Sequence, residues 1–283
     1  MQVNKSMIVN ESKEKIYEIG KEDAQCIDAA PNGNPMNYKD LNALIHEAVS
    51  NDFRKIILNN VCGQRFIGAA LRGDIELIIN GLPGNDLGIF MDGLKIMVNG
   101  NCEDQCGNTM NDGIIIIDGD CGDVVGLSSR GGTIFVKNNV GYRVGIHMKE
   151  YQNQFPVLII GGTAGDYLGE YMAGGKIIVL RLEILTDGTI YENKRPICGT
   201  NLGAGMHGGT IYLRTRENLD QRLGVGSKCS ELSIEEQIEI MTYVSEFCEI
   251  FNIPVKTIRD IPFKAIKPIS KRPFGGNYCS QLI

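Results

Sequence analysis

The stretch GGTAGDYLGEYMAGG at residues 161–175 contains the unit that decides the fold. Two glycines four positions apart are followed three residues later by a methionine and then by an aliphatic run. The same spacing returns between Val61 and Arg214, in the pairs Gly84/Gly88, Gly122/Gly126, Gly141/Gly145, Gly165/Gly169 and Gly199/Gly203. Gly63/Gly68 has one residue inserted, and Glu103/Gly107 keeps only the second glycine. The runs between the pairs are rich in β-branched residues, which favours strands.

Most of these units lie near 20 residues apart, a period typical of solenoids. The residues before both glycines are small or apolar, and the third position after the second glycine is methionine in five units: Met91, Met110, Met148, Met172 and Met206. Stacked coils need such columns, because each coil buries its inward side chains only against its neighbours. We therefore predict an all-β core, a parallel β-helix of about seven coils, with glycines at tight corners and methionines on one interior rung. A left-handed hexapeptide coil is disfavoured, because the apolar rungs do not recur at every sixth residue.

The sequence divides into three predicted regions. Residues 1–60 form an N-terminal arm and a helix/strand cap, residues 61–216 the glycine-repeat β-helix, and residues 217–283 a C-terminal helix and a proline-spaced tail. We expect Met1 to Pro35 to be loosely attached. The cap helix presents one apolar face, made of Leu41, Leu44, Ile45, Ala48 and Val49.

The C-terminal helix begins with a capping box of Ser233 and Glu236. Its predicted apolar stripe consists of Ile234, Ile238, Met241, Phe247 or Cys248, and Phe251. The tail from Ile253 is expected to be extended. It lies either on a partner chain or along its own β-helix, with the anchors Phe263, Ile266, Phe274 and Tyr278. Two insertions, His147 to Phe155 and Arg181 to Pro196, are expected to project from one side of the solenoid.

Composition narrows the class of function. The 283 residues carry a net charge of −6 with a pI near 5.2, which argues against a nucleic-acid surface. No secretory leader or membrane span is apparent, so we expect a cytoplasmic protein. The nine cysteines are interpreted as buried free thiols, because Cys62, Cys102, Cys121 and Cys198 share one column. Cys102 and Cys106 have no second close pair, so a metal site is not expected.

Residues that could perform chemistry are few. His46 falls on the cap helix, and His147 and His207 fall in different columns, so they form no repeated ligand set. The glycine pairs lead into strands and do not match a dinucleotide or phosphate loop, which needs a helix after the turn. We therefore expect no catalytic, cofactor-binding or metal-binding residue on this chain. An independent enzyme would require an acid/base pocket near His147 or His207.

Specific motifs then point to a family. The segments Gly84-Asn-Asp-Leu-Gly88, Val140 to Lys149, Gly161 to Gly175 and Gly203-Ala-Gly-Met-His-Gly-Gly209 closely resemble the glycine-repeat (GXGXG) domain. That domain stands at the C-terminal end of the glutamate synthase large subunit. The chain looks like the free-standing form of the domain. A weaker resemblance links it to the glycine-repeat polypeptide of formylmethanofuran dehydrogenase.

The resemblance implies a right-handed β-helix with an architectural role in glutamate biosynthesis and nitrogen metabolism. Such a polypeptide positions a glutamine amidotransferase and a flavin synthase, which form glutamate from glutamine and 2-oxoglutarate. Met1 is followed by Gln2, so the amidotransferase cysteine nucleophile is expected on another chain, as are FMN and an iron–sulfur cluster. The alternative is a scaffold subunit of another complex, such as formylmethanofuran dehydrogenase. The sequence leaves open the identity of the partner chains, the electron donor and the oligomeric state. A homo-oligomer is compatible with the sequence.

Overall fold

The computed structural model describes residues 24–185 and 187–270. Two longer helices lie within this range, α1 at Tyr38–Ser50 and α2 at Ile234–Ile250, and a short helix α3 at Lys256–Arg259. The strands are β1 Ala24–Asp28, β2 Lys55–Cys62, β3 Glu76–Leu82, β4 Asp92–Asn99, β5 Asp112–Ile117, β6 Thr133–Val136, β7 Val157–Ile160, β8 Ala173–Val179, β9 Leu182–Ile184, β10 Ile190–Glu192, β11 Gly208–Arg214, β12 Ser227–Glu231 and β13 Phe263–Pro268.

The strands β1 to β8 and then β11 pair in parallel, each with the next. Their register aligns one inward column, in which every residue is almost completely buried: Ile56, Leu77, Ile96, Ile115, Ile134, Leu158, Ile177 and Ile211. The predicted parallel β-helix is thus confirmed. It makes about six turns, close to the predicted count of about seven coils.

Backbone hydrogen bonds also connect the corners of adjacent coils. The Gly107 N–H donates to the Leu87 carbonyl at 2.9 Å, and the Gly126 N–H donates to the Cys106 carbonyl at 2.8 Å. Such bonds satisfy backbone groups that turn away from the sheet. The corners therefore form a second ladder beside the strands.

The N-terminal side of the solenoid is closed by α1 and β1. The helix is capped by the Asn37 side chain, which accepts from the Lys39 N–H at 2.9 Å, and it buries Leu41, Ile45 and Ala48 in the main core. The expectation of a loose arm was wrong for Ala24–Asp28, because this segment pairs in parallel with β2 along its whole length. The earlier part of the arm lies outside the described residues.

The C-terminal side ends differently from the prediction. Strand β13 pairs antiparallel with both β11 and β12, so the parallel order stops there. Two of the proposed tail anchors, Phe263 and Ile266, are buried in the chain's own core. Of the two placements left open for the tail, these two residues follow the second, along the chain's own β-helix, because their strand completes the sheet. Phe274 and Tyr278 lie outside the described residues.

Helix α2 covers the outer face of the sheet instead of its open end. The helix residues Ile240, Val244, Phe247 and Cys248 pack in one buried cluster with outward-facing strand residues that include Phe135, Ile159 and Ile178. The capping box of Ser233 and Glu236 is present. The predicted stripe was wrong at its start, since Ile234 and Ile238 are 73% and 67% exposed.

The second predicted insertion is ordered by pairing. Strands β9 and β10 form a separate antiparallel hairpin, and Ile184 and Ile190 pack against the outer-face cluster that contains α2. In the first insertion, Tyr151 and Gln154 form an isolated bridge. No helix in the described ranges is long and apolar enough to cross a membrane.

Candidate functional site

Each corner of the solenoid is built from left-handed backbone at alternate residues. In the corner around Gly126, for example, φ is +53° at Val124, +69° at Gly126 and +54° at Ser128. Positive φ is unusual for a non-glycine residue and strained for a β-branched one. Of the three left-handed residues in each corner, the sequence pattern reveals only the central one, because glycine is retained there.

The second glycine of each pair is this central member. Its φ lies between +65° and +71° in all five pairs: Gly88, Gly126, Gly145, Gly169 and Gly203.

Conformation is only part of the reason for glycine at these positions. A Cβ atom at Gly145 would collide with Ile177 Cδ1, and one at Gly169 would collide with Ile211 Cδ1. Both isoleucines belong to the inward column of the strands. Besides forming the predicted tight corners, Gly145 and Gly169 are buried and leave room for these core side chains.

The first glycine of a pair is needed for a different reason. The five first glycines, Gly84, Gly122, Gly141, Gly165 and Gly199, do not have positive φ. A Cβ atom at Gly165 would lie 2.8 Å from the carbonyl oxygen of Gly141 in the preceding coil. At Gly165 the adjacent coils therefore approach too closely for a side chain, whereas the equivalent position of another unit is Glu103. This close approach brings the corner carbonyl and N–H groups within hydrogen-bonding distance.

The structure places all five predicted ladder methionines in the main core, each with no exposed surface: Met91, Met110, Met148, Met172 and Met206. Ser129 occupies the same column between Met110 and Met148. Its Oγ atom is buried and has no hydrogen-bond partner among the residues that the structure describes. The column is thus apolar except at one polar position.

An exposed polar and aromatic surface covers two neighbouring corners. We call it the corner surface and define it as Tyr142, Arg143, His147, Tyr167 and Tyr171. His147 and Tyr171 occupy the same position of successive repeats, each two residues after the second glycine of its pair, and their rings stack with 5.4 Å between centroids. The Arg143 guanidinium lies 4.5 Å from the Tyr167 ring centroid and pairs with the buried Glu170. Tyrosine and arginine are enriched at protein interfaces.

The other two histidines are not among the residues that define this surface. His46 is exposed on α1. His207 Nδ1 lies 3.4 Å from the Gly205 carbonyl oxygen.

A second exposed surface lies along α2. Ile234, Ile238 and Met241 line one side of a groove of about 540 Å³, and Ile258 and Pro262 line the other side. Contiguous exposed apolar surface of this kind is typical of a contact site. The sequence missed it because the helix has apolar residues on two faces, and the periodicity alone does not tell which face packs inward.

Sequence reasoning also missed a cluster of thiols. Cys102 and Cys106 lie in one corner and Cys121 in the next coil, and all three Sγ atoms are within 4.8 Å of one another. Hydrogen bonds from the other two thiols lower the pKa of Cys106, and the hydrogen bonds that Cys102 makes to Cys106 and Cys121, together with burial, raise the pKa of Cys102. The signal was present in the column alignment, which places Cys121 directly beneath Cys102, whereas a search for close Cys pairs along the chain considers only one coil.

Stacked coils joined at glycine corners define a parallel β-solenoid, which carries the corner surface and the α2 groove on its exterior. Comparison with known proteins assigns the family. The GXGXG motif family matches residues 39–261, and the chain therefore belongs to this family, that of the glutamate synthase C-terminal domain. The chain is also similar to an uncharacterized protein of Methanocaldococcus jannaschii, with 48% identity over 254 residues, which cover 88% of this chain and 95% of that relative.

Proposed function

We propose that this chain is the structural subunit of a multi-chain, cytoplasmic glutamate synthase. In this role it positions a glutamine amidotransferase subunit and a flavin synthase subunit, so that ammonia released from glutamine reaches 2-oxoglutarate. The observation that supports the proposal is the glycine-corner solenoid itself, whose family match spans residues 39–261. FMN and the iron–sulfur cluster are assigned to the partner chains.

The geometry of a solenoid suits such a role. Nine strands stack in parallel from β1 to β11, and adjacent strands lie about 4.8 Å apart, which gives a body about 40 Å long. Every coil is hydrogen-bonded to its neighbours through both strands and corners. A body cross-linked in this way holds attached subunits at a fixed separation.

Two surfaces are available for partners. The corner surface is rich in tyrosine and carries an arginine, whereas the α2 groove is mainly apolar. Interfaces commonly combine a desolvated apolar core with a polar rim. The two surfaces differ in chemistry, which favours contacts with two different subunits.

Reconstitution tests the proposal. The amidotransferase and synthase chains are mixed with and without this chain, and glutamate formation from 2-oxoglutarate is measured with glutamine or with ammonia as the nitrogen source. We expect the glutamine-dependent rate to require this chain and the ammonia-dependent rate to be independent of it. A matched control is the chain with Ile177→Asp, which places a charge in the core column and should not support the reaction. An unchanged glutamine-dependent rate without the chain would refute the proposal.

A further inference from the structure

Three cysteine side chains converge at one position inside the solenoid. Cys102 and Cys121 occupy adjacent coils and are joined by a parallel backbone bridge, and Cys106 lies four residues after Cys102. Their side chains are 4%, 4% and 0% exposed, in that order. The fold therefore brings three thiols together and encloses them.

Packing alone does not require this arrangement. The equivalent positions in neighbouring coils are Pro83 and Val140 in one column, and Leu87 and Val125 in the other. Aliphatic side chains thus fill the same columns above and below. Cys198 also stands in the first column and is buried outside the cluster, so a single thiol in this column is a packing residue. Cys102, Cys106 and Cys121 differ from it because their three sulfur atoms come together.

The spacing of the sulfur atoms fits a shared ion. Thiolates bound to one ion at about 2.3 Å lie about 3.8 to 4.0 Å from one another. The three Sγ atoms all lie within 4.8 Å. The difference is less than about 1 Å, which small rotations of the side chains remove.

The donor set decides which ion suits the site. Thiolates are soft ligands that select Cu(I), Zn²⁺ or iron–sulfur clusters, and structural zinc is almost always held by four ligands. Within the described part of the chain, no His, Asp or Glu joins the three cysteines. A water molecule as fourth ligand would need further polar partners. The equivalent positions in the neighbouring coils are apolar, and the Glu103 carbonyl oxygen lies 3.6 Å from Cys121 Sγ.

We propose that Cys102, Cys106 and Cys121 form a three-coordinate binding site for a single Cu(I) ion. Each thiol that binds as a thiolate releases its proton to solvent. The single positive charge of Cu(I) offsets one of the three thiolate charges, and the loaded site keeps a net charge of −2. Asp104, Asp120 and Asp123 belong to the same two corners, and their carboxylates raise the local concentration of cations. The slight exposure of Cys102 and Cys121 marks the side from which the ion enters.

The test uses the full chain, reduced and handled without oxygen, with the exposed Cys26 and Cys62 and the terminal Cys279 replaced by serine. Cu(I) is titrated in competition with a coloured Cu(I) chelator. We expect one Cu(I) per chain, a higher melting temperature in its presence, and only sulfur neighbours in X-ray absorption.

Two variants make the test specific to the cluster. Cys121→Ala removes one ligand and should lower Cu(I) affinity by at least about 100-fold, because even outer partners of a ligand contribute 10- to 100-fold. Cys198→Ala is the matched control, since Cys198 is equally buried in the same column but lies outside the cluster. Melting curves without metal separate loss of binding from loss of folding, and Cys121→Val serves as a second variant that keeps the volume.

Equal Cu(I) affinity in the Cys121 and Cys198 variants would overturn the proposal. Stoichiometric Zn²⁺ binding in preference to Cu(I), or recovery of an iron–sulfur cluster, would also overturn it. A reduced protein that binds no Cu(I) would show that the thiols are packing residues only.

Discussion

Truncation of one rung of the methionine column tests how the solenoid is held together. Met172 has no exposed surface and lies in the column between Met148 and Met206. Met172→Ala removes three buried heavy atoms, which forfeits about 2 kcal/mol of transfer free energy. The remaining void of about 60 Å³ adds about 1.4 kcal/mol at 24 cal/mol per Å³. We therefore expect the free energy of unfolding to fall by about 3 to 4 kcal/mol.

Urea unfolding followed by circular dichroism measures this change. Met172→Leu preserves most of the volume and should lose less than about 1.5 kcal/mol. His207→Ala removes a half-buried ring outside the column and should change stability by only about 0.5 kcal/mol. A loss below about 1 kcal/mol for Met172→Ala, or a larger loss for His207→Ala, would show that the assigned column does not carry the core.

Substitutions at three other places should change stability or partner binding. Ser129→Ala removes the unpartnered buried hydroxyl and should raise stability by about 1 kcal/mol in thermal unfolding; destabilisation would reveal a partner for that hydroxyl. Burial raises the pKa of Glu76, but Lys95 and Lys55 outweigh it and lower the pKa below 4.5. The stabilisation that Glu76 contributes is therefore complete above about pH 4.5, and it is lost as the pH falls through the lower pKa of Glu76 in the folded state. Glu76→Gln should lower the free energy of unfolding at pH 7 and make that free energy fall less steeply as the solution is acidified. The double variant Ile234→Asp/Ile238→Asp should leave the melting temperature nearly unchanged, because both residues are exposed. It should weaken co-purification with the proposed synthase partners. Retained association would show that the α2 groove is not part of the interface.

The sequence by itself determined the repeating part of the structure. In a solenoid, residues one period apart along the chain become neighbours in adjacent coils. Alignment of the repeats therefore predicted spatial contacts, such as the stacking of His147 on Tyr171. Alignment of the repeats also revealed the central glycine of each corner. Glycine recurs there because it adopts the left-handed backbone of this position without strain. That Gly145 and Gly169 also face isoleucines of the inward column needed the structure, because those side chains belong to later coils.

The non-repeating parts were decided by the tertiary structure. Nothing in the spacing of residues 217–270 shows that β13 completes the sheet between β11 and β12, because antiparallel pairing depends on an open sheet edge that is distant in sequence. The inward face of α2 was likewise set by the outer face of the sheet, where Phe135, Ile159 and Ile178 form the surface that Val244 and Phe247 cover.

The thiol cluster combines both kinds of information. The positions of Cys102 and Cys121 in one column follow from the repeat, but the meeting of their sulfur atoms with that of Cys106 depends on how the two columns converge inside a corner. Composition and period establish which residues share a column. Only the backbone path through each corner, with its alternating left-handed residues, decides which columns are close enough for their side chains to touch.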